Sequence, residues 1–566
     1  MLQYDILIVG AGGGGLYAAL ETSKRKGLRV AVISKVFPTR SHTGAAQGGI
    51  NAALGNVAPD SPEKHTYDTV KGSDFLADQD AVELMCDMAP KIIREMEHMG
   101  LPFSRLKDGR IAQRPFGGAS FPRTCYAADK TGHVMLQTLY EQCLKNEVTF
   151  LNEWFALNLI HNGERISGIV AINLKTGEVE GIRAKAVILA TGGHGRIYWN
   201  RTSNALGNTG DGPAMALRAG VPLKDMEFVQ FHPTGLRRTG ILVTEGARGE
   251  GGYLINKNGE RFMKRYAPEK MELAPRDLVS RAIETEIMEG RGFKDSEGNE
   301  FVYLDLRHLG RDKILERLPQ IRELAIDFEG VDPIEEPIPV RPTAHYSMGG
   351  IDADKFGRTP LKGLYAVGEC ACISVHGANR LGGNSLLDIV VFGKIAGEDA
   401  VNFVSEVSFS DFSESAVKDE ERKIERLFEN EGTEKLHQLR SELSDAMSRG
   451  VGIFREEKRM KEALEKVREI KERAKKLKVY DRERCFNTNL QQTLEFLNMV
   501  EVAETIAFSA IERRESRGAH YRTDYPKRDD ENFLKHSLTI RKEDGELSIS
   551  WKPVKITKFQ PEERKY

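Results

Sequence analysis

The chain opens on a short apolar run, Asp5–Val9, reading D-I-L-I-V, and breaks at once into Gly10-Ala11-Gly12-Gly13-Gly14-Gly15. This pattern predicts a buried strand, a tight turn and a helix reaching about Arg25. Arg29–Ser34 predicts a second strand. Two more apolar runs come much later: Lys185–Ala190, ending in Thr191-Gly192-Gly193, and Gly363–Val367, ending in Gly368-Glu369, with a helix starting near Asn384-Ser385-Leu386. After about Asp399 the period changes. Leu436, Leu439, Leu443 and Met447 recur at helical spacing inside the charge-dense stretch Lys418–Lys478, and Leu494, Leu497, Val500 and Ala503 do so in Leu490–Ala510. Such stripes predict the core of a helix bundle. The tail His536–Tyr566 alternates apolar and polar positions around Asp544-Gly545, a hairpin signal.

At 566 residues the chain is too long for one core, so two to four domains are expected. Hydrophobic residues make up 40% and mean hydropathy is -0.42. No run of apolar residues is long enough to span a bilayer, and Met1–Gly10 carries no signal-peptide pattern, so the cytoplasm is the expected compartment. The net charge is -2, which gives no global attraction to nucleic acid. The six cysteines form no C-x-x-C, so no iron–sulfur centre, zinc site or disulfide framework is expected within the chain.

The opening glycines are G-x-G-x-x-G in a strand–turn–helix setting. Gly10 permits the turn, Gly12 admits a pyrophosphate beside Ala11, and Gly15 lets helix and strand pack closely. The second strand ends in Ser34-Lys35 where an acidic residue would hold an adenosine ribose, which argues against a plain NAD site. Serine can still reach a hydroxyl, and Lys35 can neutralise phosphate. With the junctions at Thr191-Gly192 and Glu369, and the helix opening at Ser385-Leu386, three strand–loop–helix corners point to FAD. A carboxylate at Glu369 suits ribitol hydroxyls, and Asp211 in N-T-G-D-G is a further polar candidate.

Ser41–Ile50, S-H-T-G-A-A-Q-G-G-I, fits neither period. Small residues let its backbone approach a flat cofactor, and His42, between Ser41 and Thr43, could touch or bond to one. An insertion from about His232 to Pro342 ends in the stiff E-E-P-I-P-V-R-P (Glu335–Pro342) and reads as a lid. His232, the glycine-bearing loop Thr244–Gly249, Arg276, His345 and Arg380 fall at or near its junctions with the cofactor strands. Two histidines and two arginines at one seam suggest a site for a small dianion, and hydride chemistry also needs a proton donor opposite the cofactor.

The chain closely resembles the flavoprotein subunits of succinate dehydrogenase and fumarate reductase. The resemblance rests on V-F-P-T-R-S-H-T (Val36–Thr43), A-Q-G-G-I (Ala46–Ile50), D-T-V-K-G-S-D (Asp68–Asp74), Q-R-P-F-G-G (Gln113–Gly118), Q-F-H-P-T-G (Gln230–Gly235), L-V-T-E-G-A-R-G-E-G-G (Leu242–Gly252), H-Y-S-M-G-G (His345–Gly350), S-V-H-G-A-N-R-L-G-G-N-S-L-L-D (Ser374–Asp388) and Glu515–Asn532. It implies an α/β Rossmann-like FAD-binding domain (1–231 and 343–405), an inserted α+β capping domain (232–342), a C-terminal helical bundle (406–515) and a small C-terminal β-containing domain (516–566). It implies FAD bonded covalently through His42, with Gln47, Gly48 and Gly49 along the isoalloxazine and substrate. His345 and Arg380 would hold one substrate carboxylate, His232 and Thr244 the other, and Phe116 would pack against the substrate. Succinate and fumarate would interconvert by hydride transfer to or from the flavin, with Arg276 exchanging the proton through Glu245 and Arg248. By residue type alone Glu245 is the natural acid/base, since arginine titrates above ~12; a concerted relay avoids a standing neutral guanidine. The loop Ala119–Tyr126 is shorter than in many relatives, which leaves the geometry near Phe116 open.

Two other readings fit parts of the pattern. L-aspartate oxidase shares the lid and much of the clamp, but His42 and Asp388 speak against it. A non-catalytic FAD scaffold would not need the dianion clamp. Without cluster cysteines or a membrane span, the chain cannot reach quinone alone. The resemblance therefore implies an iron–sulfur subunit, membrane anchor subunits, and a place on the cytoplasmic side of the cell membrane, in anaerobic respiration or the tricarboxylic acid cycle.

Overall fold

A computed structural model describes residues 1–566. Five parallel strands form its centre, in the order Thr149–Asn152, Val30–Ser34, Leu2–Val9, Glu178–Leu189 and Leu364–Ala366. Ile6, Leu7 and Ile8 have no exposed surface, as expected of strands covered on both faces. The strand ends at Gly10, Ser34, Ala190 and Val367 all open on one cavity. Glycine makes the packing around it possible. Gly10 sits at φ +113, where a Cβ would stand 2.1 Å from the Ala190 carbonyl oxygen, and a Cβ on Gly15 would stand 1.9 Å from that of Gly10. The helices Gly13–Ser23 and Asn384–Glu406 touch where a Cβ on Gly393 would lie 2.6 Å from the Gly14 carbonyl oxygen.

The hairpin Trp154–His161/Ile166–Asn173 adds two antiparallel strands to this sheet. Strands Val229–Leu236, Ile338–Ser347, Glu300–Asp305 and Tyr253–Ile255 form a separate antiparallel sheet around a second hydrophobic core, which includes Leu236, Leu254, Ile283, Leu304 and Val340. The first two of these strands pair along their length, so chain entry and exit lie side by side and carry His232 and His345. Register shifts flank Phe231 and His232. Bulges of this kind re-aim side chains beside a site.

Helices Glu414–Glu429, Leu436–Gly450, Glu457–Ala474 and Thr488–Glu512 follow. Leu439, Leu443 and Met447 are fully buried, and the stripe joins the main core. The hairpin Lys535–Arg541/Leu547–Pro553 forms around Asp544-Gly545 and pairs through Leu538 and Thr539 with Leu223-Lys224. It thereby joins a five-stranded sheet with Gly350–Asp352 and Ala371–Cys372. One local expectation is corrected: Thr244–Gly249 is not an open loop. Glu245–Gly249 is a short helix, because Thr244 Oγ1 caps it by accepting from Gly246 N at 3.0 Å.

Candidate active site

The cavity at the strand ends encloses about 1840 Å³, including its open mouth. Gly10, Ala11 and Gly12, Ser34 and Lys35, Ser41, His42 and Thr43, Gln47, Gly48 and Gly49, Thr191 and Gly192, Asp211, Glu369, Ser385 and Leu386 all line it. Gly15 does not; its part is the close helix–strand contact. The helices starting at Gly13 and Asn384 have glycine N-caps, Gly12 and Gly383, that offer no side-chain acceptor, although Gly13 N donates to Thr43 Oγ1 at 3.0 Å. A helix N-terminus favours negative charge.

Lys35 takes a different part from the one its position suggests. Its ammonium lies 2.6 Å from Asp211 Oδ2 and 2.8 Å from Glu495 Oε1, so its charge is committed to two carboxylates rather than free for a phosphate. Glu369 is half-buried and accepts from Ser347 N at 3.0 Å; desolvation raises its carboxyl to about 7. It can therefore donate to, as well as accept from, a hydroxyl near neutral pH. His42 Nδ1 accepts from Ala205 N at 3.3 Å, which leaves Nε2 as the uncommitted ring nitrogen. Burial, with Arg196 adding to it, holds this imidazole down to about 4. With Nδ1 accepting, Nε2 carries the proton of this neutral ring, so a bond formed through Nε2 requires that proton to leave.

The same cavity takes in Phe116, His232, Thr244, Glu245, Arg276, His345 and Arg380. The rings of His232 and His345 meet edge to face with centroids 5.0 Å apart. His232 Nδ1 accepts from Thr234 N at 3.1 Å, so Nε2 carries the proton, and that buried donor has no partner. Arg380 is 2% exposed and its Nε is likewise unpartnered. Burial, then the neighbouring Arg276, pushes the Arg380 guanidinium down to about 9. Unpaired buried donors beside a poorly compensated cation are what an incoming carboxylate would satisfy.

Arg276 opens the helix Arg276–Met288. It lies 3.3 Å from Glu245 Oε2 through Nη2 and 3.3 Å from Gln230 Oε1 through Nη1. Arg248 does not line the cavity. It stands behind Glu245 at 3.5 Å, anchored by a 2.6 Å bond to the Glu272 carbonyl oxygen, and burial pushes it down to about 10. The short helix places Glu245 and Arg248 on one face, three residues apart. Arg276, Glu245 and Arg248 thus form a continuous chain leading out of the cavity.

A family profile described as "FAD binding domain" matches residues 5–386, and one described as "Fumarate reductase flavoprotein C-term" matches 440–566. The chain is 49% identical to the succinate dehydrogenase flavoprotein subunit of Coxiella burnetii, covering 99% of each. The chain belongs to the succinate dehydrogenase and fumarate reductase flavoprotein family. It is also 47% identical to the 8-methylmenaquinol:fumarate reductase flavoprotein subunit of Wolinella succinogenes, covering 99% of this chain and 92% of that one. Among solved structures, a mutant form of E. coli quinol fumarate reductase superposes with a TM-score of 0.95 at 45% identity, covering 100% of this chain and 99% of that one. The fold is the expected one for this family, and FAD is its cofactor. The glycine cradle, the two helix N-termini and the protonatable Glu369 fit that dinucleotide. No helix is long and apolar enough to cross a membrane.

Several residues of this flavoprotein site escaped the sequence reading. Tyr346 lies 4.3 Å under the Arg380 guanidinium and lines the cavity. Its hydroxyl approaches His376 Nε2 at 3.2 Å and Asp388 Oδ2 at 3.4 Å, while His376 Nε2 lies 3.0 Å from Asp388 Oδ2. Asp388, noticed only as a family discriminator, therefore buttresses the ring beneath Arg380. Ser203 Oγ lies 2.6 Å from His345 Nδ1, and Asn204 donates to the His345 carbonyl at 2.7 Å. Arg114 donates to the Gly48 carbonyl at 2.5 Å through Nη2 and 3.1 Å through Nε. Tyr346, Arg114 and Gln230 stand inside quoted motifs, so a signal was present. Ser203 and Asn204 had none. The short loop Ala119–Tyr126 is firmly held: buried Arg123 pairs with Asp68 at 2.6 Å and Asp60 at 2.9 Å, and Ser120 donates to Asp68.

Proposed function

We propose that this chain is the catalytic subunit interconverting succinate and fumarate, and that its substrate lies between His232, Thr244, His345 and Arg380. The observation that carries the reading is the pair of unpartnered buried donors, His232 Nε2 and Arg380 Nε, at the mouth of the Arg276–Glu245–Arg248 chain. FAD, when bound, takes up or gives the hydride and the electrons.

The two donor groups bind opposite ends of a dicarboxylate and orient it, while Phe116, 3% exposed, excludes water. Arg276 holds the exchanging proton on its guanidinium. Glu245 restores that proton as Arg276 gives it up, and Arg248 steadies the Glu245 carboxylate. The 3.3–3.5 Å spacings between these groups are long for hydrogen bonds, and proton transfer along the chain requires them to shorten. His42 is the residue that would tether the flavin, and a covalent bond there would raise the flavin's potential enough to accept electrons from a weak reductant. The second core between His232 and Pro342 acts as the cap over the dinucleotide domain.

Electrons pass between this chain and quinone by way of an iron–sulfur subunit and membrane anchors. That assembly places the chain peripherally on the cytoplasmic side of the membrane. The test is dye-linked succinate oxidation and fumarate reduction by the FAD-loaded chain, alongside Arg276→Lys. Activity in the parent and loss of nearly all turnover in Arg276→Lys, with flavin retained, is the expected result. Substantial activity in the variant would sink the assignment of Arg276.

A further inference from the structure

Two of the long motifs, Asp68–Asp74 and Glu515–Asn532, contribute nothing to the cavity, yet the structure brings them together. Asp74 is held at φ 55, a left-handed conformation that costs a non-glycine residue energy. Its carboxylate accepts from Arg528 Nη1 at 2.7 Å and Gly518 N at 2.8 Å, and its carbonyl accepts from Arg517 Nη1 at 2.9 Å. Residues 557–566 run alongside: Lys558 N and Phe559 N both donate to Gln79 Oε1 at 2.9 Å. This path delivers Arg564 to a point between the two bodies of the fold. Its Nη2 stands 2.7 Å from Asp277 Oδ2 and 3.2 Å from Asp74 Oδ2. Asp277 is the residue after Arg276, in the first turn of the same helix. Tyr566 packs against the second core, with the Lys71 ammonium 4.7 Å from its ring centre.

We propose that Arg564 is a positioning residue for the reaction, tying the first turn of helix Arg276–Met288 to Asp74 and so holding Arg276 against the substrate. The helix carries Arg276 at its very first position, so a shift of that turn moves the guanidinium directly. Misplacement of a reacting group by about 1 Å costs roughly a hundredfold in rate. Arg281 adds a parallel tie, donating to Asp277 Oδ2 at 3.3 Å and to the Gly518 carbonyl at 2.9 Å. Burial alone would raise the Asp277 carboxyl, but Arg564 and Arg281 hold it down to about 2. The tie is therefore ionised across the working range of pH. Loss of Arg564 would leave Asp74 and Asp277 buried with fewer counter-charges and a reason to separate.

The inference rests on Arg276 as the proton donor. It is tested on the full FAD-loaded chain with Arg564→Ala and Arg564→Lys, and with Asp277→Asn as a second route should Arg564→Ala fail to fold. In Arg564→Ala, kcat for dye-linked succinate oxidation is expected to fall about tenfold with flavin content unchanged. The solvent deuterium isotope effect on kcat should rise, and amide exchange across 276–288 should quicken. Arg564→Lys keeps the charge but loses the two-nitrogen grip on Asp277, so it should recover only part of kcat, while remaining above Arg564→Ala. Unchanged exchange across 276–288 overturns the proposal, and this readout does not depend on the role of Arg276. Equal losses in the alanine and lysine variants, with the isotope effect unmoved, overturn it as well.

Discussion

Gly382 lies directly against Glu245. A Cβ built on Gly382 would stand 1.9 Å from Glu245 Oε2 and 2.9 Å from Phe116 Cδ2. The space that glycine leaves open is filled by the carboxylate that faces Arg276. Gly382→Ala needs no forbidden backbone angle, so its effect is confined to that carboxylate and the nearby ring. Turnover should fall by about a hundredfold while the flavin stays bound. Steady-state kinetics beside the flavin absorbance check this, and a variant with near-parental kcat refutes the role given to Glu245.

His42 offers Nε2 to the cavity while Nδ1 accepts from Ala205 N. On acid precipitation the parent should give a yellow precipitate, and His42→Ser should release all flavin to the supernatant. With an untethered flavin of lower potential, succinate oxidation should suffer more than fumarate reduction. Equal losses in both directions would show that the histidine acts through binding rather than potential.

Stability should peak near neutral pH. Burial, with Arg123 adding to it, holds His65 down to about 3, and burial holds His194 down to about 4. Both titrate near 6.5 once unfolded, so the stability they contribute is present above that pH and is lost as pH falls toward their folded values. At pH 5 the loss is about 2 kcal/mol for each. His536 carries the opposite sign. Burial opposes its charge, but Asp225 and Asp78 raise it to about 9, so its contribution is full below 6.5 and disappears as pH rises through 9. Urea melts across this range should show His65→Gln flattening the acid limb and His536→Gln the alkaline one. An acid limb unchanged by His65→Gln would refute the neutral buried histidine.

Local pattern made much of this molecule legible. The D-I-L-I-V strand and its glycines announce a dinucleotide turn, because close backbone approach at Gly10 and Gly15 admits no side chain. The stripes at Leu439, Leu443 and Met447 announce buried helices, and Asp544-Gly545 announces a hairpin. The residues proposed for the clamp could be named because they sit in long motifs. Where their side chains point could not be read.

Residue types and local pattern were therefore enough to name most of the side chains that line the cavity, since residue chemistry and short-range backbone geometry travel with the local chain. Which residues stand behind them emerges from the packing of the whole chain. Lys35 turns to Asp211 and Glu495 because burial of its ammonium demands carboxylates drawn from 176 and 460 residues away. Asp388 reaches Arg380 through His376 and Tyr346, and Arg564 reaches Asp277 from the far end of the chain. Such contacts arise from packing distant segments into one interior, where each buried charge must find a partner, and no local pattern encodes which partner that is.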